Sequence, residues 1–319
     1  MKFMKTLVIT ALVTCALLSV SVYLFIPVRT TFSKVIVIKT KINIANRFLL
    51  DESKWGQWFP SDSVNSFPAS PRANTYRYKN YFYSVEKKMM NAGEVSISNG
   101  QTVLKSLITM ISINADSIAI EWKSTMPESS NPFNRIGNYI KARQLHKSMA
   151  DILTHLRRFL GKNENIYGIH LHEIISKDST LIATKVITAA YPSTSDIYAL
   201  IASLKSYIIS QAAKENNFPM LHVKKVNDTT FETMVAIPVN KYLEGNGKIF
   251  SRRFVPWKVL TAEVRGGTYT INEALRQMEI YITDYQKTAM AIPFESLVTD
   301  RSKQPDTLQW ITRIYTPVP

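Results

Sequence analysis

The residue in this chain most in need of a chemical reason is a carboxylate. Glu295 stands in Pro293-Phe294-Glu295-Ser296-Leu297-Val298, an acid among apolar neighbours in a stretch that alternates like a strand. An ionised group set against apolar surface loses hydration, so the scaffold carries it at a cost. An earlier stretch, Pro219-Met220-Leu221-His222, has the same form with Leu221 in the acid's place, so the fold itself does not require an acid there. Two explanations stand. Strand alternation puts Ile311, Arg313 and Tyr315 beside Glu295 and Leu297, which allows a cross-strand ion pair from Glu295 to Arg313. Alternatively the acid lies in a groove walled by Tyr198, Trp257 and Tyr315, where it attracts a cation whose apolar body the rings hold.

Other polar groups carry less. His170 and His172 share a strand face, but only Glu173 lies near them as a third ligand, so no metal site is expected. Asp300, Arg301 and Asp306 fall in Thr-Asp-Arg-Ser-Lys-Gln-Pro-Asp, which reads as a solvent-exposed hairpin loop. Gly266-Gly267 reads as a strand-to-helix turn and lacks the spacing of a phosphate loop. No Ser/His/Asp or Cys/His nucleophile set is spelled out, and no cofactor is expected. Cys15 is the single cysteine, so no intramolecular disulfide can form.

The elements that must position Glu295 come as a duplication. TLIATKVITAAYPSTSDIYALIASLKSYI, PMLHVKKV and FETMVAIPV are echoed by WKVLTAEVRGGTYTINEALRQMEIYI, PFESLVTD and TLQWITRIYTPV. Each copy reads strand, helix, strand, strand. Ile197, Leu200, Ile201, Leu204 and Ile208 make the apolar stripe of one helix, and Ile271, Leu275, Met278 and Tyr281 that of the other. Paired copies should form a pseudo-two-fold unit with a groove between them.

The preceding half reads as a separate α+β domain. VIVIKTKINI alternates as a strand, and DESKWGQWFP is an aromatic turn. A run of antiparallel strands comes next, and from Asn131 to Leu160 an amphipathic helix carries Ile136, Ile140, Met149, Ile152, Leu153, Leu156, Phe159 and Leu160 on one face, with Gly161 as its C-cap signal. Trp55, Trp58, Tyr78 and Trp122 read as core rings. The chain of 319 residues, 45% apolar, has a net charge of +15, concentrated in this first half. That suits a module near anionic headgroups. The scattered basic residues show no DNA-binding pattern, so no nucleic-acid partner is expected. Ahead of all this, a short basic N-terminus over residues 1–6 precedes an uncharged run from Leu7 to Pro27, long enough for a single transmembrane helix, with the N-terminus inside slightly favoured.

Trp55-Gly56-Gln57-Trp58-Phe59-Pro60 and the Asn131–Leu160 helix, within residues 31–165, resemble the START-like (SRPBCC) ligand-binding domains, although only ANRFLLDES is left for the helix those domains place before the tryptophan element. Residues 168–319, with AAYP, MVAIPV, VRGGTYTINEAL, PFESLVTD and W-x-T-x-I-Y-x-P-V in order, resemble the GyrI-like effector-binding domains, which also occur in AraC-type and multidrug-responsive transcription regulators. That resemblance implies a small-molecule pocket at the pseudo-dyad, with an acid on the strand after the second helix contacting the ligand, here Glu295. Together with the uncharged Leu7–Pro27 run, it reads as a membrane-anchored binder or sensor of small hydrophobic molecules, cationic ones included. The alternative implied by the same family is a hydrolase of strained electrophiles, with Glu295 activating water and Tyr315 orienting it.

Overall fold

The computed structural model describes residues 10, 13, 14, 17, 20–61, 75–177 and 179–319. Much of the Leu7–Pro27 run, Cys15 included, lies outside the described residues, and among those described no helix is long and apolar enough to cross a membrane. The chain divides into two units, Met1–Lys162 and Asn163–Pro319.

In the first unit, β1 (Thr31–Ile38) is followed by α1 (Ile42–Leu49) and a 3-10 turn (Glu52–Gln57). Then come β2 (Tyr76–Tyr78), β3 (Tyr81–Met89), β4 (Ala92–Ser98), β5 (Val103–Asn114) and β6 (Ser117–Thr125), and the long helix α2 (Pro132–Leu160) closes the unit. The antiparallel sheet runs β1-β6-β5-β4-β3-β2. The first strand ends at Ile38, short of the expected Ile44. Ile44, Ala45, Phe48 and Leu49 are buried together, which is helical spacing, so VIVIKTKINI splits into a strand and a helix start.

Asn131 caps α2, its side chain accepting from Phe133 N at 2.9 Å, with Pro132 in the first turn. Burial along α2 holds from Ala142 onward, whereas Ile136 and Ile140, expected on the buried face, are exposed. Gly161 caps the helix with an ordinary φ of −75°, so the left-handed geometry that favours glycine is not used.

Trp55, Tyr83 and Trp122 are fully buried, and each indole N–H finds a partner: Trp55 donates to Leu49 O at 2.8 Å and Trp122 to Ser106 Oγ at 2.9 Å. Trp58 is buried with them. Tyr78 is half-buried instead, its hydroxyl donating to Asp151 at 3.1 Å. The rings occupy the space between sheet and helix, where a cavity of about 70 Å³ lies beside Leu145, and a shallower groove of about 570 Å³ runs between Thr31 of β1 and Tyr139 and Arg143 of α2.

The second unit begins with α3 (Asn163–Tyr167), a few residues before the boundary expected from sequence. Tyr167 donates to the buried Asp284 at 2.9 Å and packs edge-on to Tyr281, so this turn belongs to the second unit. After it come β7 (His172–Ile175), β8 (Ser179–Thr188), α4 (Thr194–Ser210), β9 (Met220–Asn227) and β10 (Thr230–Val239). The second copy supplies β11 (Ile249–Phe254), β12 (Lys258–Arg265), α5 (Thr268–Asp284), β13 (Phe294–Leu297) and β14 (Ile311–Pro317).

The eight strands are ordered β11-β8-β10-β9-β13-β14-β12-β7. The order is symmetric about the β9/β13 junction, as the duplication requires. Each copy also lends its leading strand to the other: β7 pairs with β12, and β11 with β8. Ile197, Ile201, Leu204 and Ile208 of α4 pack on Ile182, Val235 and Ile237, so the helix stripe read from sequence is the buried one. Gly266 turns β12 into α5 at φ +136°, where a Cβ would come within 2.7 Å of Thr270 Oγ1, so only glycine fits.

Candidate functional site: a carboxylate at the pseudo-dyad

β9 and β13 pair through Glu295↔Leu221 and Ser296↔Met220. The acid and the leucine that takes its place in the other copy therefore face each other across the symmetry axis. β13 pairs with β14 so that Glu295 is opposite Ile314 and Phe294 opposite Tyr315. Glu295 thus shares a face with Thr312, Ile314 and Thr316, one residue out of step with the expected Ile311, Arg313 and Tyr315. A one-residue shift of register moves every side chain to the other face.

This corrects several expectations. Arg313 lies on the far face and pairs with Glu263 at 2.9 Å. Tyr315 stacks on Phe294 with ring centroids 5.0 Å apart, also on the far face, so phenol and carboxylate do not meet as a hydrolytic pair would need. Trp257, 42% exposed, lies next to Ser176, whose hydroxyl accepts from its backbone N–H, and it does not line the groove. Tyr198 is half-buried and structural: its hydroxyl accepts from Arg301 N at 2.6 Å and lies 3.3 Å from Thr299 O. Of the four ligand-contact candidates only Glu295 borders the cavity at the dyad.

Nor is Glu295 without a partner. Arg301, expected in an exposed turn, is 8% exposed and folds back under the β13–β14 connection. Its Nη2 donates to Glu295 Oε2 at 2.9 Å and to Thr312 Oγ1 at 2.8 Å, while the guanidinium lies 4.8 Å from the Trp310 ring. Asp300 and Asp306 do lie in the exposed turn, Asp300 accepting from Ser302 and Asp306 from Leu308 N. Among the described residues Glu295 Oε1 takes no hydrogen bond, so half of the carboxylate is uncommitted.

The cavity in front of it measures about 420 Å³. One wall is a stripe of α5, Asn272, Leu275, Glu279 and Thr283, beside the stripe that α5 buries. The opposite wall holds Tyr191, which precedes α4, and the floor is Leu221, Glu295 and Thr316. Tyr191 packs edge-on to Phe231, and burial, with the charge of Glu295 behind it, holds its phenol above the ordinary tyrosine range. His222 Nδ1 is 2.7 Å from Pro293 O, where the two strands part. Glu279 is exposed and makes no ion pair among the described residues. The charged residues of the lining are two, Glu279 and Glu295, both acidic.

The histidine pair holds no metal arrangement among the described residues. His170 bonds Glu164, and Glu173 pairs with Lys287 at 2.8 Å.

No protein-family model and no curated protein matches the chain. Among solved structures it is similar to EcmrR in its DNA complex, at 18% identity over 60% of this chain and 72% of that one, TM-score 0.43. It is similar to SAV2435 bound to tetraphenylphosphonium, at 18% identity over 47% of this chain and 94% of that one, TM-score 0.32. A START superfamily protein from Mycobacterium smegmatis is similar at 12% identity over 41% of this chain and 94% of that one, TM-score 0.28.

Proposed function

We propose that the second unit binds small apolar cations in the cavity at its pseudo-dyad, and that the Leu7–Pro27 run holds this binder at a membrane. The carrying observation is the sign of the lining. In a chain of net charge +15, the charged side chains bordering this cavity are two carboxylates, with no lysine or arginine among them. A volume of about 420 Å³ bounded by Tyr191, Leu221, Leu275 and Phe294 suits a drug-sized apolar body, with Glu279 as counter-ion to its charge and the uncommitted Oε1 of Glu295 as an acceptor on the floor. Arg301 gives the acid a partner in the absence of ligand and stays outside the lining.

Titration of the full chain with tetraphenylphosphonium tests the binding reading. The double variant Glu279→Gln/Glu295→Gln should lose tenfold or more in affinity, about 1.4 kcal/mol. Glu279→Gln alone, on an exposed helix position, should lose part of that without loss of fold. Equal affinity of parent and both variants would sink the proposal. For the anchor, the full chain should stay in the membrane pellet through alkaline carbonate washing, and its release would refute that half.

A further inference from the structure

The opposite face of the same sheet carries a second cavity of about 530 Å³, and its chemistry is reversed. Side chains alternate along β8 and β10, so Ile182, Val235 and Ile237 meet α4, while Leu181, Ala183 and Ala236 form a small separate cluster on the face away from it. Met220, Phe250 and Phe254 pack on that cluster, giving an apolar floor. Phe254 meets Phe294 edge-on at 5.6 Å, which carries the floor across the pseudo-dyad, and the exposed Ile292 forms a wall above it.

The rim is basic. Lys185, Arg252 and Arg253 border the cavity, against a single acid, Glu232, which is already 3.3 Å from Lys185. Register explains why the cations stand at the apolar floor. β11 pairs with β8 so that Phe250 lies opposite Ala183 and Arg252 opposite Leu181, which places Phe250, Arg252 and the Leu181 cluster on one face. Arg252 lies 5.4 Å from the Phe250 ring, is exposed, and has no carboxylate partner among the described residues. A guanidinium of that kind at the end of a greasy trough matches an anionic head with an apolar tail.

We infer that this trough holds an amphipathic anion, an acyl chain lying across Leu181, Met220 and Phe254 with its carboxylate or phosphate head against Arg252 and Lys185. It is a site separate from the acidic cavity, although Leu221, His222 and Phe294 border both because β9 and β13 pair through only two residue pairs.

The test is photolabelling of the full chain in membranes with two diazirine-bearing probes, a long-chain carboxylate and a single-chain acyl phosphate, followed by mapping of labelled peptides. Label that saturates, is displaced by unlabelled dodecanoate and falls on β8, β11 or residues 291–294 is the expected result, and the probe that labels better identifies the head group. Arg252→Glu, at an exposed edge position, and Met234→Glu, on the trough floor, should each cut that label tenfold or more while tetraphenylphosphonium affinity stays at the parental value. Label that does not saturate, or that is undiminished in both variants, would overturn the inference. Undiminished label with intact cation binding would overturn the trough alone, whereas lost cation binding in Glu279→Gln/Glu295→Gln bears only on the acidic cavity.

Discussion

The two units share a plan, an antiparallel sheet packed by helices, and differ in what fills the space between. In the first, Trp55, Tyr83 and Trp122 occupy the middle and leave about 70 Å³ beside Leu145, the larger groove of about 570 Å³ lying off to the side between β1 and α2. In the second, the two helices cover separate halves of the sheet, and about 420 Å³ stays open at the axis in front of Glu295. The difference teaches that the space over the middle of the sheet is decided by ring volume at a handful of positions, while the topology permits either outcome. It also separates two ways of treating polar groups. The first unit sets Ser106 and the Leu49 carbonyl to finish its indoles, and the second places the buried Glu295–Arg301 ion pair at the cavity floor.

The comparison can be broken most severely at the filled site. Trp122→Ala should destabilise the first unit by about 3–5 kcal/mol, read by chemical denaturation, because its ring has no room to be replaced by rearrangement. A loss under about 1 kcal/mol would mean that the rings are not what holds that space. Next comes the ion pair. Arg301→Met strands a buried carboxylate and should cost the second unit roughly 3 kcal/mol, and Glu295→Gln, which leaves the guanidinium unpaired, should cost a comparable amount. The double variant Glu295→Leu/Arg301→Met restores the residue of the other copy and should regain most of that loss; a double variant as unstable as the sum of the singles would deny the pairing. Smaller still, Tyr167→Phe removes one hydrogen bond to the buried Asp284 and should cost about 1 kcal/mol, which also tests that α3 belongs to the second unit. The least effect is spectroscopic. Glu295 opposes formation of the Tyr191 phenolate, so in Glu295→Gln the Tyr191 titration should move down toward the ordinary range, measured by ultraviolet absorbance against a Tyr191→Phe reference. An upward movement would place the acid elsewhere.

Much of this is legible in the residues, and the failures have particular causes. The α2 span from its Asn131 cap, the stripe on α4, the Gly266 turn and the equivalence of Glu295 with Leu221 depend on local periodicity and on internal duplication, both written in the chain. Arg301 does not read as buried, because Thr-Asp-Arg-Ser-Lys-Gln-Pro-Asp has the composition of a turn and the arginine's partners, Glu295, Thr312 and Trp310, are supplied by tertiary folding. Tyr315 and Arg313 lie one step of register away from their expected face, and no alternation pattern fixes that step when both faces of a strand are mixed. Tyr191 stands in the AAYP segment and Glu279 next to an apolar helix stripe, but nothing in either pattern says that the two meet across a cavity.

The exchanged strands have a consequence for how the chain is made. His172–Ile175 can take up its place only beside Lys258–Thr261, which leaves the ribosome most of a domain later. Until then the earlier copy has an unfilled outer edge beside β8, since β11 is also still to come. β11 can close that edge as soon as it emerges, whereas the β12–β7 rim must wait for β13 and β14 to join it to the sheet, so a nascent chain arrested before β11 would offer β8 to any passing strand.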